Sequence, residues 1–145
     1  MAKKKVYVCF DYELDKHYKY LMEAWDANPN FEFSFNDRSP REIQSDNISV
    51  IKANLTKKIN EAHYTVVLAG RDANKLHDDH CAIGYRNWQN FEVAKSVING
   101  NRLVIVELPG YSKAPEECYD HGAIWAGKFN QANILDGLKQ AAGNR

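Results

Sequence analysis

The sequence predicts an α/β protein with a single doubly wound, mainly parallel five-stranded sheet and helices on both faces. Short apolar segments typical of strands alternate along the chain with amphipathic helical segments. Parallel strands need crossovers of about a dozen residues or more, which the helical segments supply. The chain has 145 residues, 44% of them hydrophobic, with no internal repeat or linker, so we expect one domain over residues 1–145.

Five segments are expected to form the strands. Lys5–Phe10 and Tyr64–Leu68 are mostly apolar, as strands buried on both faces are, and Arg102–Leu108 is a further β-rich run. Phe31–Phe35 alternates apolar and polar residues, which is typical of a strand near a sheet edge. Ala123–Trp125 is a plausible short fifth strand.

Four segments have helical spacing of their apolar residues. The first ends at Asn28-Pro29, the second has Ser45 or Asp46 as its expected N-cap, and the third is closed by Gly100. The predicted helices cover residues 15–27, 48–62, 88–99 and 130–142.

Right-handed crossovers between these elements predict the flavodoxin-like strand order. Such a sheet collects its functional loops outside the carboxyl ends of the strands. The candidate loops are therefore those after Phe10, Phe35, Leu68 and Leu108.

The charge balance weakens any reading as a nucleic-acid or membrane protein. The chain has 19 basic and 19 acidic residues, and its one basic run, Lys3-Lys4-Lys5, is interpreted as a solubilising lead into the first strand. No segment approaches the roughly 18 apolar residues of a spanning helix, and the N-terminus lacks a signal-peptide pattern. Cys9, Cys81 and Cys118 form no CxxC pair and favour reduced thiols. We expect a cytoplasmic protein with no nucleic-acid or membrane partner.

Common phosphate and phosphoryl chemistries do not match the loops. The turn after the first strand has no glycine-rich pattern, and its Asp11, Glu13 and Asp15 would repel phosphate. A phospho-receiver needs an acceptor aspartate after the third strand, where this chain has Ala69-Gly70. The segment 77–81 (His-Asp-Asp-His-Cys) has metal-ligand residue types but no second ligand pair, so we interpret it as a solvated loop and expect no metal.

The start of the third predicted helix carries a more specific pattern. Trp88 and Glu92 are four residues apart and share a helix face at the carboxyl edge of the sheet. The helix N-terminus favours an ionised Glu92, which beside an aromatic wall could hold a planar cation. Spacing alone favours a simpler interpretation, in which Glu92 complements the helix dipole and Trp88 belongs to the core.

The sequence resembles the Thoeris-associated TIR-like family, a divergent branch of TIR domains, from about Lys5 to Leu108. In place of the family's usual Trp-x-Asn-Trp-Glu-Ile this chain has Phe91 for the second Trp and a long loop before it. The matching motifs are Val6–Glu13 (VYVCFDYE), Ala24–Pro29 (AWDANP), Phe33–Ser39 (FSFNDRS), Ile51-Lys52 with Lys58-Ile59, Thr65–Gly70 (TVVLAG) and Trp88–Val93 (WQNFEV).

The resemblance implies cleavage of NAD+ between nicotinamide and ribose, with Glu92 as the catalytic carboxylate. NAD+ is then the substrate, and no further cofactor or metal is expected. Trp88, Phe10 and Tyr12 are candidates to stack on a ring, and Asp11 with Asp37-Arg38-Ser39 could contact ribose or phosphate. Alternatives remain open: Phe10 and Tyr12 could be core residues, Asp11 could cap the following loop, and Arg38 could be a surface group paired with Asp37.

The resemblance also implies that the product is a cyclic ADP-ribose isomer, a messenger made after phage infection that activates a separate effector. Self-association is a further expectation, because TIR domains often work as assemblies. A second hypothesis is a catalytically silent TIR-like module that acts by self-association or partner binding.

Overall fold

The central element of the computed structural model, which describes residues 3–35 and 46–143, is a five-stranded parallel sheet. Its order is β2-β1-β3-β4-β5, as predicted for a doubly wound sheet of flavodoxin-like order. The strands are β1 (Lys4–Cys9), β2 (Phe33–Ser34), β3 (Tyr64–Ala69), β4 (Arg102–Glu107) and β5 (Ile124–Lys128).

Five α-helices accompany the sheet within the described residues. None of them is long and apolar enough to cross a membrane. A turn of 3-10 helix also covers Glu116–Cys118. The helices are α1 (Tyr12–Asp26), α2 (Ile48–Asn60), α3 (His80–Ile83), α4 (Trp88–Ile98) and α5 (Gln131–Gly143).

Side-chain caps decide where the helices begin. Helix α1 starts three residues before its predicted beginning, because the Asp11 carboxylate accepts the Glu13 N–H at 3.0 Å. The prediction that Asp46 caps α2 is wrong, because the N-cap is Asn47, whose side chain accepts the Val50 N–H at 3.3 Å. Ser45, the other predicted cap, lies outside the described residues. Helix α4 begins at Trp88, as predicted.

Three other segments differ from the prediction. The region 71–87, expected to be loop, contains the single-turn helix α3, which ends at Gly84 with φ 86°. Such a short helix has no periodic pattern to reveal it. Strand β2 is limited to Phe33–Ser34, and β5 continues to Lys128 past the predicted end at Trp125.

The two faces of the sheet bury separate apolar clusters. Val6 and Val8 of β1 pack with Met22 of α1 and with α5 on one face. Tyr7 and Cys9 of the same strand pack with α2 and α4 on the other. This alternation follows from the two-residue period of a strand, and it aims the odd-numbered β1 side chains at α4.

Strand β2 lies on one side of β1 and strand β3 lies on the other, so the order in which strands join the sheet reverses at β1. Strand β1 leads to α1 on one face, whereas β3 leads through α3 to α4 on the opposite face. Such a switch point is where open α/β sheets generally bind ligands.

Candidate functional site

Glu92 lies in the second turn of α4 and points inward at strand β1. Its side chain is 1% exposed. The Tyr7 hydroxyl donates a hydrogen bond to Glu92 Oε1, and Cys9 Sγ lies 3.9 Å from Glu92 Oε2. Both β1 residues are themselves buried, so the carboxylate is enclosed between the helix and the central sheet.

The Gln89 side chain, three residues before Glu92 in α4, bridges the carboxyl ends of β1 and β3. Its Nε2 donates to the Leu68 carbonyl at 2.9 Å and lies 3.5 Å from the Cys9 carbonyl, which joins the ends of β3 and β1. The Cys9 thiol in turn donates to the Gln89 carbonyl at 3.3 Å. The gap between the two strand ends is therefore filled by the protein's own side chains.

Burial determines the chemistry available to Cys9. Desolvation raises the pKa of its thiol well above the usual value, and the nearby Glu92 charge raises it further. Cys9 is thus a neutral S–H donor near pH 7 rather than a thiolate nucleophile.

Trp88 packs beside Phe91 in the opening turns of α4. The two aromatic rings meet edge to face with centroids 5.5 Å apart. Trp88 is half-buried against the α4 side of the core, so one part of its ring remains accessible. Trp88 and Glu92 both lie in the opening turns of α4, and Trp88 packs against the cluster that contains Tyr7 and Cys9, the two β1 residues that contact Glu92.

The residues after β1 divide between core and rim. Phe10 belongs to the apolar cluster on the α1 face, which agrees with its interpretation as a core residue. Tyr12 is half-buried, and its ring centroid lies 6.3 Å from that of Phe10. The ammonium nitrogen of Lys16 lies 5.3 Å from the Tyr12 ring centroid. Asp11 caps α1, and burial raises the pKa of its carboxyl.

The predicted contacts from Asp37, Arg38 and Ser39 lie outside the described residues. Their part in a substrate site stays a prediction. The chain enters this segment from Phe35, at the carboxyl end of the edge strand β2.

Asp15 is a second buried carboxylate at the same edge of the sheet. It is 8% exposed, and its Oδ2 is buried without a hydrogen-bond partner among the described residues. This oxygen lies against Gly70, where a Cβ atom would come within 2.4 Å of it. Desolvation, reinforced by the charge of Asp11, raises the pKa of Asp15 to about 6.

A profile of one family, described as Thoeris protein ThsB, TIR-like domain, matches residues 7–113. The chain belongs to this family. Curated proteins, by contrast, include no significant match to it. The family expectation drawn from the sequence motifs is confirmed, and the parallel sheet of this TIR-like domain has the predicted doubly wound form.

Three asparagines that the sequence analysis missed hold α4 of the TIR-like domain in place. Asn87 caps α4 by accepting the Asn90 N–H at 2.9 Å and donates to the Ala73 carbonyl at 3.0 Å. Asn90 is fully buried, and its side-chain Nδ2 donates to Asn87 Oδ1 at 3.0 Å and to Asn74 Oδ1 at 3.3 Å. Its side-chain Oδ1 accepts the Glu117 N–H at 3.1 Å. An asparagine directly before the predicted start of α4 was the available signal, because asparagine is a favoured N-cap residue.

The segment 77–81 does not assemble a metal site in the described structure. No group of three or more His, Cys, Asp or Glu side chains among residues 3–35 and 46–143 is arranged to hold an ion. His77 instead accepts the Asp79 N–H at 2.9 Å through Nδ1, a local turn contact.

A shallow cavity of about 320 Å³ lies at the opposite edge of the sheet from Glu92. Its walls include Arg102 at the start of β4, Ile124 at the start of β5 and Ala141 near the end of α5. It opens at the amino ends of the strands, so it does not overlap the predicted substrate residues.

Proposed function

We propose that this TIR-like protein cleaves NAD+ at the nicotinamide–ribose bond, with the Glu92 carboxylate as the essential group. The proposal extends to the product, a cyclic ADP-ribose isomer that activates a separate effector in antiphage defence. It is supported by membership of the Thoeris TIR-like family and by a buried carboxylate in the opening turns of α4, beside the switch point of the sheet. Membership of this family is the observation that carries it.

One carboxylate is chemically sufficient for this reaction. The nicotinamide of NAD+ is already a cationic leaving group, so its departure needs no general acid, unlike that of an ordinary sugar alcohol. Positive charge develops on the ribose as the bond breaks, and a carboxylate fixed nearby stabilises that charge. In a water-excluded environment the stabilisation is stronger than at an exposed site.

Substrate access requires a local rearrangement. At 1% exposure, the Glu92 side chain has no surface that a ribose could touch. Gln89 and Cys9 fill the gap between the ends of β1 and β3, so NAD+ must displace one of them to reach the carboxylate. A closed resting site fits an enzyme that is switched on by infection.

The rim residues have distinct roles in the proposal. Trp88 and Tyr12 stack on the nicotinamide or adenine ring, with Phe10 supporting Tyr12 from the core. Asp11 and the segment Asp37-Arg38-Ser39 contact ribose and phosphate. Cyclisation then needs a nucleophile of the same molecule held against the anomeric carbon while water is kept out.

The test is identification of the product formed from NAD+. Wild-type protein from phage-infected and uninfected cells is incubated with NAD+, and the mixture is separated by chromatography and analysed by mass spectrometry. We expect nicotinamide together with an ADP-ribose species about 18 Da lighter than the linear form, because an internal nucleophile takes the place of the water that hydrolysis adds. Nicotinamide with linear ADP-ribose alone would leave the cleavage intact and overturn the cyclase assignment.

The second candidate is a catalytically silent TIR-like module that acts by self-association or partner binding. The enclosure of Glu92 by Tyr7, Cys9 and Gln89 is the observation that favours it, because a carboxylate used only for folding would look the same. Absence of nicotinamide release from both protein preparations, with an altered oligomeric state after infection, would support the module instead.

A further inference from the structure

We propose that Tyr7 is the positioning residue of Glu92: its phenol holds one carboxylate oxygen at the place from which the reaction proceeds. This inference rests on the proposed NAD+ cleavage and deepens it. Neither Tyr7 nor its strand position belongs to the residues expected to touch the substrate.

The geometry singles out Tyr7 among the neighbours of Glu92. Tyr7 is fully buried, and its hydroxyl donates to Glu92 Oε1 across 85 positions of sequence. A buried phenol and a buried carboxylate each require a hydrogen-bond partner, and each serves the other here. A hydrogen bond to an ionised acceptor is among the stronger ones in proteins, and it also restricts the direction of the carboxylate.

The scaffold that carries Tyr7 is rigid. Strand β1 pairs with β2 on one side and with β3 on the other, so it is an interior strand of the sheet. Tyr7 itself pairs in register with Thr65 of β3. A side chain on such a strand is held more precisely than one on a loop, which suits a group that aligns a reacting carboxylate.

Cys9 is the weaker of the two β1 contacts. Its single S–H has the Gln89 carbonyl at 3.3 Å and Glu92 Oε2 only at 3.9 Å, and a thiol is a poor donor. Among the described residues, the other ionisable groups of this cluster include Cys118, Tyr85 and Tyr111. Lys52 and Lys95 also approach it, with ammonium groups 5.8 and 5.5 Å from the Phe91 centroid.

A positioning role predicts a selective loss of turnover. With Tyr7→Phe the ring still fills the core, but Glu92 Oε1 loses the hydrogen bond from the phenol that fixes its direction. We expect kcat for NAD+ cleavage to fall by about tenfold to a hundredfold, the range typical of a lost hydrogen bond to a charged group, with KM little changed.

The matched control is Tyr64→Phe, which removes a hydroxyl from a buried tyrosine on β3. Tyr64 belongs to the apolar cluster on the other face of the sheet, where its ring meets Phe33 edge to face at 6.1 Å. We expect wild-type kcat from this variant. Equal kcat values for the Tyr7 and Tyr64 variants, each normalised to its folded fraction, would overturn the positioning role.

A second substitution keeps the test decisive if Tyr7→Phe does not fold. Incorporation of 3-fluorotyrosine at position 7 preserves the shape of the ring and makes the phenol a stronger donor. The acidic limb of the pH dependence of kcat should then move to lower pH, because the ionised carboxylate is better stabilised. The same substitution at position 64 should leave the profile unchanged, and an unchanged profile at position 7 would refute the inference.

The two proposals fail in different ways. Active wild-type protein together with a Tyr7→Phe variant of normal kcat removes the positioning role alone. Wild-type protein that releases no nicotinamide, from infected or uninfected cells, removes the proposed function and the role of Tyr7 with it.

Discussion

Two buried carboxylates near the switch point have contrasting environments. Glu92 receives a hydrogen bond from the Tyr7 phenol, whereas Asp15 Oδ2 is buried against Gly70 without a partner in the described residues. An unsatisfied buried carboxylate destabilises the folded state whenever it is charged. The protein tolerates that cost at Asp15, in the first turns of the helix that follows β1.

The raised pKa of Asp15 predicts a pH-dependent stability. Since the native carboxyl has a pKa of about 6 against an ordinary 3.8, the folded state binds its proton more tightly than the unfolded state. The penalty is absent below pH 3.8, grows up to about pH 6 and persists above it. Asp15→Asn should remove it and stabilise the protein at pH 8 by on the order of 1–3 kcal/mol, with little effect at pH 4.

Urea unfolding between pH 4 and pH 8 measures this difference. The exposed Asp78→Asn substitution is the control and should run parallel to wild type over the whole range. If the Asp15→Asn and wild-type free energies of unfolding also ran parallel, the buried carboxyl would not titrate as described.

At the residue level the sequence indicated Glu92 but not what holds it. Glu92 stands out through its motif and its place at the start of a helix. Tyr7 and Cys9 are distant in sequence and read as ordinary members of an apolar strand. Only the register of β1 against β3 and the packing of α4 bring them to the carboxylate, and neither follows from local spacing.

At the level of single elements, α4 depends on polar anchoring as much as on its apolar face. Asn90 connects the helix to the loop after β3 through Asn74, and to the 3-10 turn after β4 through the Glu117 N–H. Because Asn90 is fully buried, loss of its side-chain amide removes the acceptor of the Glu117 N–H and the bond to Asn74 Oδ1, which keeps the Glu116 N–H as a donor.

Asn90→Ala should therefore lower the free energy of unfolding by about 2–3 kcal/mol, since the Glu117 N–H loses its acceptor and α4 loses its side-chain bonds to the loop after β3. Chemical denaturation with circular dichroism detects a change of this size. Asn54→Ala is the control: its amide donates to the Val50 carbonyl on the exposed side of α2, so it should cost far less. Equal costs for the two variants would contradict the anchoring of α4 by Asn90.

Helix α5 lies so close to the sheet that it has no room for a side chain at Gly137. An added Cβ would come within 2.8 Å of Val104 Cγ1 and 3.1 Å of Ala126 Cβ. Ala is the better helix former by about 1 kcal/mol, yet overpacking costs about 1–3 kcal/mol, so we expect Gly137→Ala to be destabilising.

The control for this prediction is Gly143→Ala at the end of α5, where a Cβ meets nothing within 4 Å. Thermal unfolding of both variants measures the contrast. A Gly137→Ala protein at least as stable as Gly143→Ala would mean that α5 can move away from β4 at no cost.

The existence of each long element was predictable, whereas several boundaries were not. The apolar runs of β1 and β3 and the stripe of α1 follow from elementary periodicity. The start of α2 depends on which of three neighbouring polar residues accepts an N–H, and local sequence does not decide between them. Helix α3 has a single turn, too short for any period to appear.

At the level of the whole molecule, the fold brings residues from distant segments to one edge of the sheet. The order β2-β1-β3-β4-β5 puts the carboxyl ends of β1 and β3 side by side, with Phe10, Asp11 and Tyr12 above one and α4 beside the other. Alternating strands and helices were enough to predict this arrangement. They could not predict that Gln89 closes the gap, because that depends on the rotamer of one side chain.

The enclosure of Glu92 links the fold to its proposed regulation. Gln89 and Cys9 fill the gap beside Glu92, so the proposed entry of NAD+ requires that one of them is displaced. An event that loosens the start of α4, such as self-association or a ligand at the rim, would shift the population toward an open site.

The most direct test of the central claim is the rate of nicotinamide release from NAD+ by wild-type protein, by Glu92→Gln and by Glu61→Gln, an exposed control at the end of α2. All three are prepared from phage-infected cells and assayed at equal folded concentration. We predict release by wild type and by Glu61→Gln, with a loss of at least about a hundredfold for Glu92→Gln. Release by Glu92→Gln at the wild-type rate would contradict the account.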